Sequence, residues 1–132
     1  MSKVVLDASA LLAYLCDEPG AEVVEELLTQ GAYISALNWA EVLSKVIKLG
    51  EDPAVVATLL EEQGLFSQGL TIMPLTEVDA LAIASIYALT KERNLGLGDR
   101  ACLGLAQRLA LPVLTMDPAW NNLNLDIDIR LI

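Results

Sequence analysis

The sequence predicts an α/β fold, a three-layer sandwich with a central, mainly parallel sheet of about five strands flanked by helices. Two observations carry this expectation. Strand-like and helix-like patterns alternate along the whole chain, the signature of successive βαβ units. The runs Val4-Val5-Leu6 and Pro112-Val113-Leu114-Thr115 are short, apolar and rich in β-branched residues, as buried parallel strands are. No linker, repeat or low-complexity stretch interrupts the pattern. Residues 1–132 are therefore expected to form a single domain, close to the usual length for one hydrophobic core.

The elements follow in order. Residues 3–6 form the first strand. Asp7-Ala8-Ser9 then caps a helix to about Cys16, broken by Asp17-Glu18-Pro19-Gly20. Residues 21–30 make a second helix, stopped by Gly31. Tyr33-Ile34-Ser35 is a short strand, and the helix from Ala36 to Leu49 ends at Gly50. Asp52 and Pro53 open another helix to about Gly64, with aspartate as N-cap and proline at the first position. Leu70 to Met73 is the third strand. Thr76 and Asp79 have capping-box spacing ahead of a long helix, 77–93. Gly98-Asp99 opens the helix 100–110, Leu111 to Leu114 is strand four, and Ile127 to Leu131 alternates as a final edge strand.

Composition narrows the function. The chain is 55% hydrophobic with a single Phe, so its core is built from Leu, Ala, Val and Ile. The apolar excess over an average soluble domain implies that part of it covers a partner surface. No apolar run approaches the ~20 residues that span a bilayer, and the start of the chain does not resemble a signal peptide. Cys16 and Cys102 lie in helical patterns, as buried thiols in a reducing compartment do, which points to a cytoplasmic protein. There is no histidine, which excludes Ser-His-Asp and Cys-His nucleophiles and HExxH metalloproteases. A net charge of −10 argues against stable DNA binding by this chain alone. It leaves room for a nuclease whose acids are neutralised by cations, and it suits a basic protein partner.

Four acids then stand out: Asp7, Glu41, Asp99 and Asp117. Asp7 and Asp117 directly follow predicted strands, and ligands of open α/β sheets bind outside the carboxyl ends of strands, where the order reverses. Acids gathered there repel one another unless a cation sits among them. A set of hard oxygens without thiolate or imidazole points to Mg²⁺ or Mn²⁺. Each acid has a structural alternative. Asp7, Asp99 and Asp117 each precede or open a helical or turn segment, where aspartate is a favoured cap. Glu41 lies at the edge of the stripe Trp39, Val42, Leu43, Val46, Leu49, with Lys45 four residues on, an ordinary solvent-facing pair. Capping does not explain acids after both the first and the fourth strand. The two roles are also compatible, since a capping carboxylate keeps a free lone pair.

Several neighbours are candidates for positioning substrate or water. Ser9 follows Asp7 by two residues, Thr115 ends strand four, and Arg100 adjoins Asp99. Each also has an ordinary reading, as a first-turn serine, a β-former and an ion-pair partner. Lys45 and Lys48 follow Glu41 by one and two helical turns, where they would meet phosphates or simply face solvent.

With these residues in view, the chain resembles the PIN-domain family, specifically VapC-type toxins of prokaryotic toxin–antitoxin pairs. The resemblance runs from VVLDASALLAYL, through ISALNWAEVLSKV, to LGDRACLGLAQRLALPVLTMDPAW, and residues 50–75 add only helical character. It implies that Asp7, Glu41, Asp99 and Asp117 hold Mg²⁺ or Mn²⁺ for endoribonuclease chemistry, with Ser9 at the small hydroxyl position. It also implies an RNA substrate, a VapB-like antitoxin as partner, and a homodimer. Two rivals remain: a phosphatase or phosphoacceptor domain, and a non-catalytic PIN-like domain that binds a partner. A haloacid-dehalogenase-type phosphatase wants a second aspartate where Ser9 stands, and a receiver domain wants an acidic pair after its first strand.

Overall fold

The computed structural model describes residues 3–132, save the side chain of Gln68. In chain order the elements are β1 (Val4–Leu6), α1 (Ala8–Leu15), α2 (Ala21–Gln30), β2 (Ala32–Ser35), α3 (Ala36–Lys48), α4 (Pro53–Glu62) and α5 (Leu65–Gln68). There follow β3 (Leu70–Met73), α6 (Glu77–Leu89), α7 (Leu97–Leu109), β4 (Val113–Thr115) and β5 (Ile129–Leu131), with short 3-10 turns at Lys91–Arg93 and Pro118–Trp120.

The five strands form one sheet in the order β3-β2-β1-β4-β5, and every pairing is parallel. Side chains alternate across it, as the period of a strand requires. Val4 and Leu6 of β1 join Ile34 of β2 and Leu114 of β4 against Leu11, Val24, Leu28 and Val42. Val5 and Val113 point the other way, onto Ile86, Cys102, Leu103, Ala106 and Trp120. Helices therefore cover both faces, which is why the strands read as continuous apolar runs. The chain proceeds from β1 to β2 and β3 on one side, then returns to β4 and β5 on the other. The order reverses between β1 and β4, and Asp7 and Asp117 follow these two strands.

Several boundaries differ from the sequence expectation for identifiable reasons. The long helix 77–93 ends at Leu89, because Thr90 turns its hydroxyl back onto the Ile86 carbonyl at 2.6 Å and leaves helical geometry. The helix expected over 100–110 starts at Leu97. Asp99 is thus its third residue rather than its opening, and reaches back to accept from the Gly96 N–H at 2.9 Å. Past α4, Gly64 at φ 88° lets the chain re-enter a second short helix, α5. Cys102 is buried as expected, but Cys16 is exposed beyond the last turn of α1. Leu49, placed on the apolar stripe of its helix, is exposed as well.

The capping residues behave as their types dictate. Asp52 accepts from Ala54 and Val55, and Thr76 and Asp79 form a reciprocal capping box. Asp79 is also gripped by Arg108 of α7, at 2.8 and 3.1 Å, which pins α6 to α7. Among the described residues no helix is long and apolar enough to cross a membrane.

Candidate functional site

The site is built around Asp7. As N-cap of α1 it accepts from the Ala10 N–H at 2.8 Å, so the sequence places its carboxylate at the carboxyl end of the central strand. It is 6% exposed. Ser9 donates to its two oxygens at 2.7 and 2.9 Å, and the Thr115 hydroxyl donates to Oδ2 at 2.5 Å. Thr115 is also the link to Asp117, whose N–H donates to the same hydroxyl at 3.0 Å. Ser9 receives the Met116 N–H at 3.1 Å. The two hydroxyls picked out in the sequence therefore tie the ends of β1 and β4 together across the point where the sheet order reverses.

Asp117 caps the turn Pro118–Trp120 through the Ala119 N–H at 2.9 Å. That turn is fastened from outside by Arg93, whose guanidinium donates to the carbonyls of Ala119, Asn121 and Asn122. Asp99 stands half-buried in the first turn of α7. Arg100 turns its guanidinium onto α6, donating to the Ile83 carbonyl at 3.2 Å and lying 5.2 Å from the Tyr87 ring centroid. From there it touches the acids only through its charge.

Glu41 does not pair with Lys45. Among the described residues the ion pairs are Arg108–Asp79 and Arg130–Asp128. Its Oε1 instead accepts from the Asn38 side-chain amide at 2.8 Å. The same amide donates to the Gly98 carbonyl at 2.9 Å, which joins α3 to α7 and leaves Glu41 lying against Gly98. Asn38 is 1% exposed, and its Oδ1 has no hydrogen-bond partner among the described residues. Sequence reasoning missed this residue, because an asparagine one turn before a glutamate carries no signal of its own.

Electrostatics shows that the acids feel one another. Burial raises the Asp7 carboxyl above its ordinary range, hydrogen bonds from Thr115, Ala10 and Ser9 oppose it, and the charge of Asp99 adds to the rise. Burial likewise raises Asp99; its bond from Gly96 lowers it, the charge of Asp117 raises it and Arg100 lowers it. Cys102, one turn into α7, is fully buried; its thiol is pushed well above the usual range by desolvation and by the charges of Asp7, Asp99 and Glu41. These acids surround the start of one helix.

The donor set suits a hard divalent cation: carboxylate oxygens with no imidazole, and a thiol held protonated. Glu41 Oε2, Asp99 Oδ1 and Asp117 Oδ2 accept no hydrogen bond from a described residue, so each acid keeps an oxygen available. The side chains do not form a finished cage, however. Among the described residues no group of three acids, cysteines or histidines converges closely enough to hold an ion. Asp7 in particular has both oxygens occupied by hydroxyls.

A family model for the PIN domain matches residues 4–124, and this chain belongs to the PIN-domain family. Solved structures share the fold. A chain of FitAcB from Neisseria gonorrhoeae superposes with a TM-score of 0.73 at 24% identity, covering 96% of this chain and 95% of that one. VapBC2 from Rickettsia felis, bound to a fragment of its promoter DNA, gives 0.75 at 14% identity and 98% of each chain. VapC20 of Mycobacterium tuberculosis, a toxin that cleaves the sarcin–ricin loop, gives 0.67 at 12% identity over 87% of this chain and 90% of that one. No curated protein matches the sequence at a significant level.

Proposed function

We propose that this chain is a metal-dependent endoribonuclease, the toxin of a cytoplasmic VapBC-like toxin–antitoxin pair. The observation that carries the reading is the placement of Asp7, Glu41, Asp99 and Asp117 about the switch point of a PIN-domain sheet. Relatives in fold that include a toxin–antitoxin complex from Klebsiella pneumoniae and a sarcin–ricin loop-cleaving toxin support it.

Asp7, Asp99 and Asp117 would hold Mg²⁺ or Mn²⁺, with Glu41 as a further ligand directly or through water. Such an ion supplies Lewis acidity toward the attacking water and the phosphate at neutral pH, the work a histidine would otherwise share. The chain's own residues set the geometry. Ser9 and Thr115 fix the rotamer of Asp7, and Thr115 fixes the backbone that carries Asp117. Asn38 turns Glu41 toward the start of α7.

The partner would be a small basic protein. An arginine fork matches paired carboxylates bidentately, and a net charge of −10 favours such a segment. DNA contacts of the kind seen in VapBC2 would fall to that partner. A homodimer accounts for the apolar surface of α6, where Val78 is 61% and Leu81 74% exposed.

The test is cleavage of RNA in Mn²⁺ by the purified protein, its loss in EDTA, and its loss in Asp7→Asn with the fold intact. Hydrolysis of p-nitrophenyl phosphate without RNA cleavage would move the chain to the phosphatase class. Turnover by Asp7→Asn equal to wild type would overturn the mechanism.

A further inference from the structure

We propose that the groove between α1 and α3 is the track on which the RNA strand leaves the carboxylates, with Lys45 and Lys48 each holding a backbone phosphate. This rests on the ribonuclease reading above and names how its substrate is bound. The groove encloses about 510 Å³. Ser9 and Glu41 line it on the side of the acids, Leu12 and Leu37 give it an apolar wall, and Lys45 and Lys48 carry it onward along α3. At 1.5 Å per residue, Lys45 lies about 6 Å and Lys48 about 10 Å beyond Glu41 along the helix axis.

Of the eight basic residues in the chain, six are engaged or placed elsewhere. Arg93 is engaged by three backbone carbonyls, Arg108 by Asp79, Arg130 by Asp128, and Arg100 by the Ile83 carbonyl and the Tyr87 ring. Lys3 precedes β1, at the end of the sheet away from the acids, with its ammonium 5.9 Å from the Tyr33 ring centroid. Lys91 stands on the turn after α6 and does not line this groove. Lys45 and Lys48 remain, both exposed and both lining a groove that Ser9 and Glu41 share. A polyanion approaching a chain of charge −10 is repelled except where cations meet it, and this groove is where they adjoin the acids. Ammonium groups bind phosphates as point charges, while the apolar wall accepts sugars and base faces without reading sequence.

Both lysines also lie in the last turn of α3, where cations complement the helix dipole. That structural role would move the melting temperature and leave RNA affinity alone, so the two accounts part in a binding experiment. A short fluorescent single-stranded RNA of mixed sequence is titrated in EDTA with wild type, K45Q/K48Q and K45R/K48R, from about 50 to 200 mM salt. KM and kcat are then measured on RNA in Mn²⁺. The double glutamine variant should bind about tenfold more weakly, and its slope of log affinity against log salt should be shallower by about 1.4, two phosphates at 0.7 each. KM should rise with kcat unchanged, and the arginine variant should match wild type. Equal affinity and equal slope in wild type and K45Q/K48Q overturn the proposal. Lysine-dependent RNA binding with no cleavage by wild type would uphold the groove and refute the nuclease. Neither binding nor cleavage by wild type would refute both.

Discussion

The carboxylate of Glu41 occupies the space that a side chain at position 98 would fill: a β-carbon built on Gly98 falls against both its oxygens and the carbon between them. Gly98 lies inside a helix, where glycine is unfavourable by up to about 1 kcal/mol relative to alanine. Its presence there is explained by the approach of Glu41, which the Asn38 amide fastens to both Oε1 and the Gly98 carbonyl. The far end of a glutamate is flexible and can swing away from an added methyl. Gly98→Ala should therefore leave stability nearly unchanged while lowering RNA cleavage by about 10- to 100-fold, as loss of a supporting contact at a metal site does. Glu41→Ala should lower it similarly, and the double variant should be no worse than either single one. Additive losses in the cleavage assay would show that Gly98 acts through something else.

Asp99 accepts from the Gly96 N–H as a cap and is also a candidate member of the acid cluster, and melting separates the two roles. Asn accepts from Gly96 about as well as Asp, so a pure cap would make Asp99→Asn neutral, as Asp52→Asn should be. If Asp99 belongs to the cluster, removing its charge relieves repulsion on Asp7 and Asp117 and raises the metal-free melting temperature. Saturating Mn²⁺ should raise the wild-type melting temperature by mass action, by about 2.7 kcal/mol of stability at a hundred times Kd. The rise should shrink in Asp99→Asn and in Asp7→Asn. Identical curves for Asp99→Asn and Asp52→Asn in EDTA and in Mn²⁺ would contradict the cluster.

Acidity should act on the metal-free protein in two opposed stages. Asp7 and Asp99 have raised carboxyls, driven first by burial, so the native state binds their protons more tightly than the unfolded chain does. Lowering the pH through their native values toward the ordinary carboxylate value near ~3.9 should therefore raise stability. Asp79 behaves oppositely: burial pushes it up, but the Arg108 and Thr76 contacts outweigh that and hold it below its usual range. Its contribution is present above the ordinary value and lost as pH falls through the depressed one. Melting in EDTA across mildly acidic pH should show the early rise in wild type and little of it in a D7N/D99N double variant. A monotonic fall in wild type would refute this assignment.

Arg108 is the cross-brace of the α6–α7 face. The Asp79 side chain it grips is 2% exposed, so removing the guanidinium strands a buried charge. Arg108→Met should cost about 3 kcal/mol, read from denaturant unfolding. Asp79→Asn in that background should restore part of it. RNA cleavage at a temperature where both remain folded should not change.

Much of this was legible in the sequence, for physical reasons that differ residue by residue. The strands before Asp7 and Asp117 could be read because parallel strands covered on both faces leave short apolar runs; Asp7 follows its strand directly and Asp117 follows one residue later. Capping by Asp52, Thr76 and Asp79 is local chemistry within four residues. The sequence pattern starts the helix carrying Asp99 three residues late, since Leu97 and Gly98 look like loop until Glu41 is seen to need the glycine. The long-range contacts that brace the fold and the site were invisible for the same reason. Asn38 meets Gly98 across sixty residues, Arg93 meets the turn after Asp117 across about thirty, and Arg108 meets Asp79 across twenty-nine. No periodicity reports which distant backbone a polar side chain will satisfy.

The burial of Cys102 beneath the acids makes that thiol a clock. Its sulfur is protonated and shut away, whereas Cys16 lies in the open. A thiol reagent would mark Cys16 at once and reach Cys102 only when the start of α7 lifts from the sheet, so the slow rate of its modification measures how often that lifting occurs. A cation drawing Asp99 toward Asp7 would hold α7 down and slow the clock. Occupancy of the site could then be timed with no RNA present, by a residue that takes no part in the chemistry.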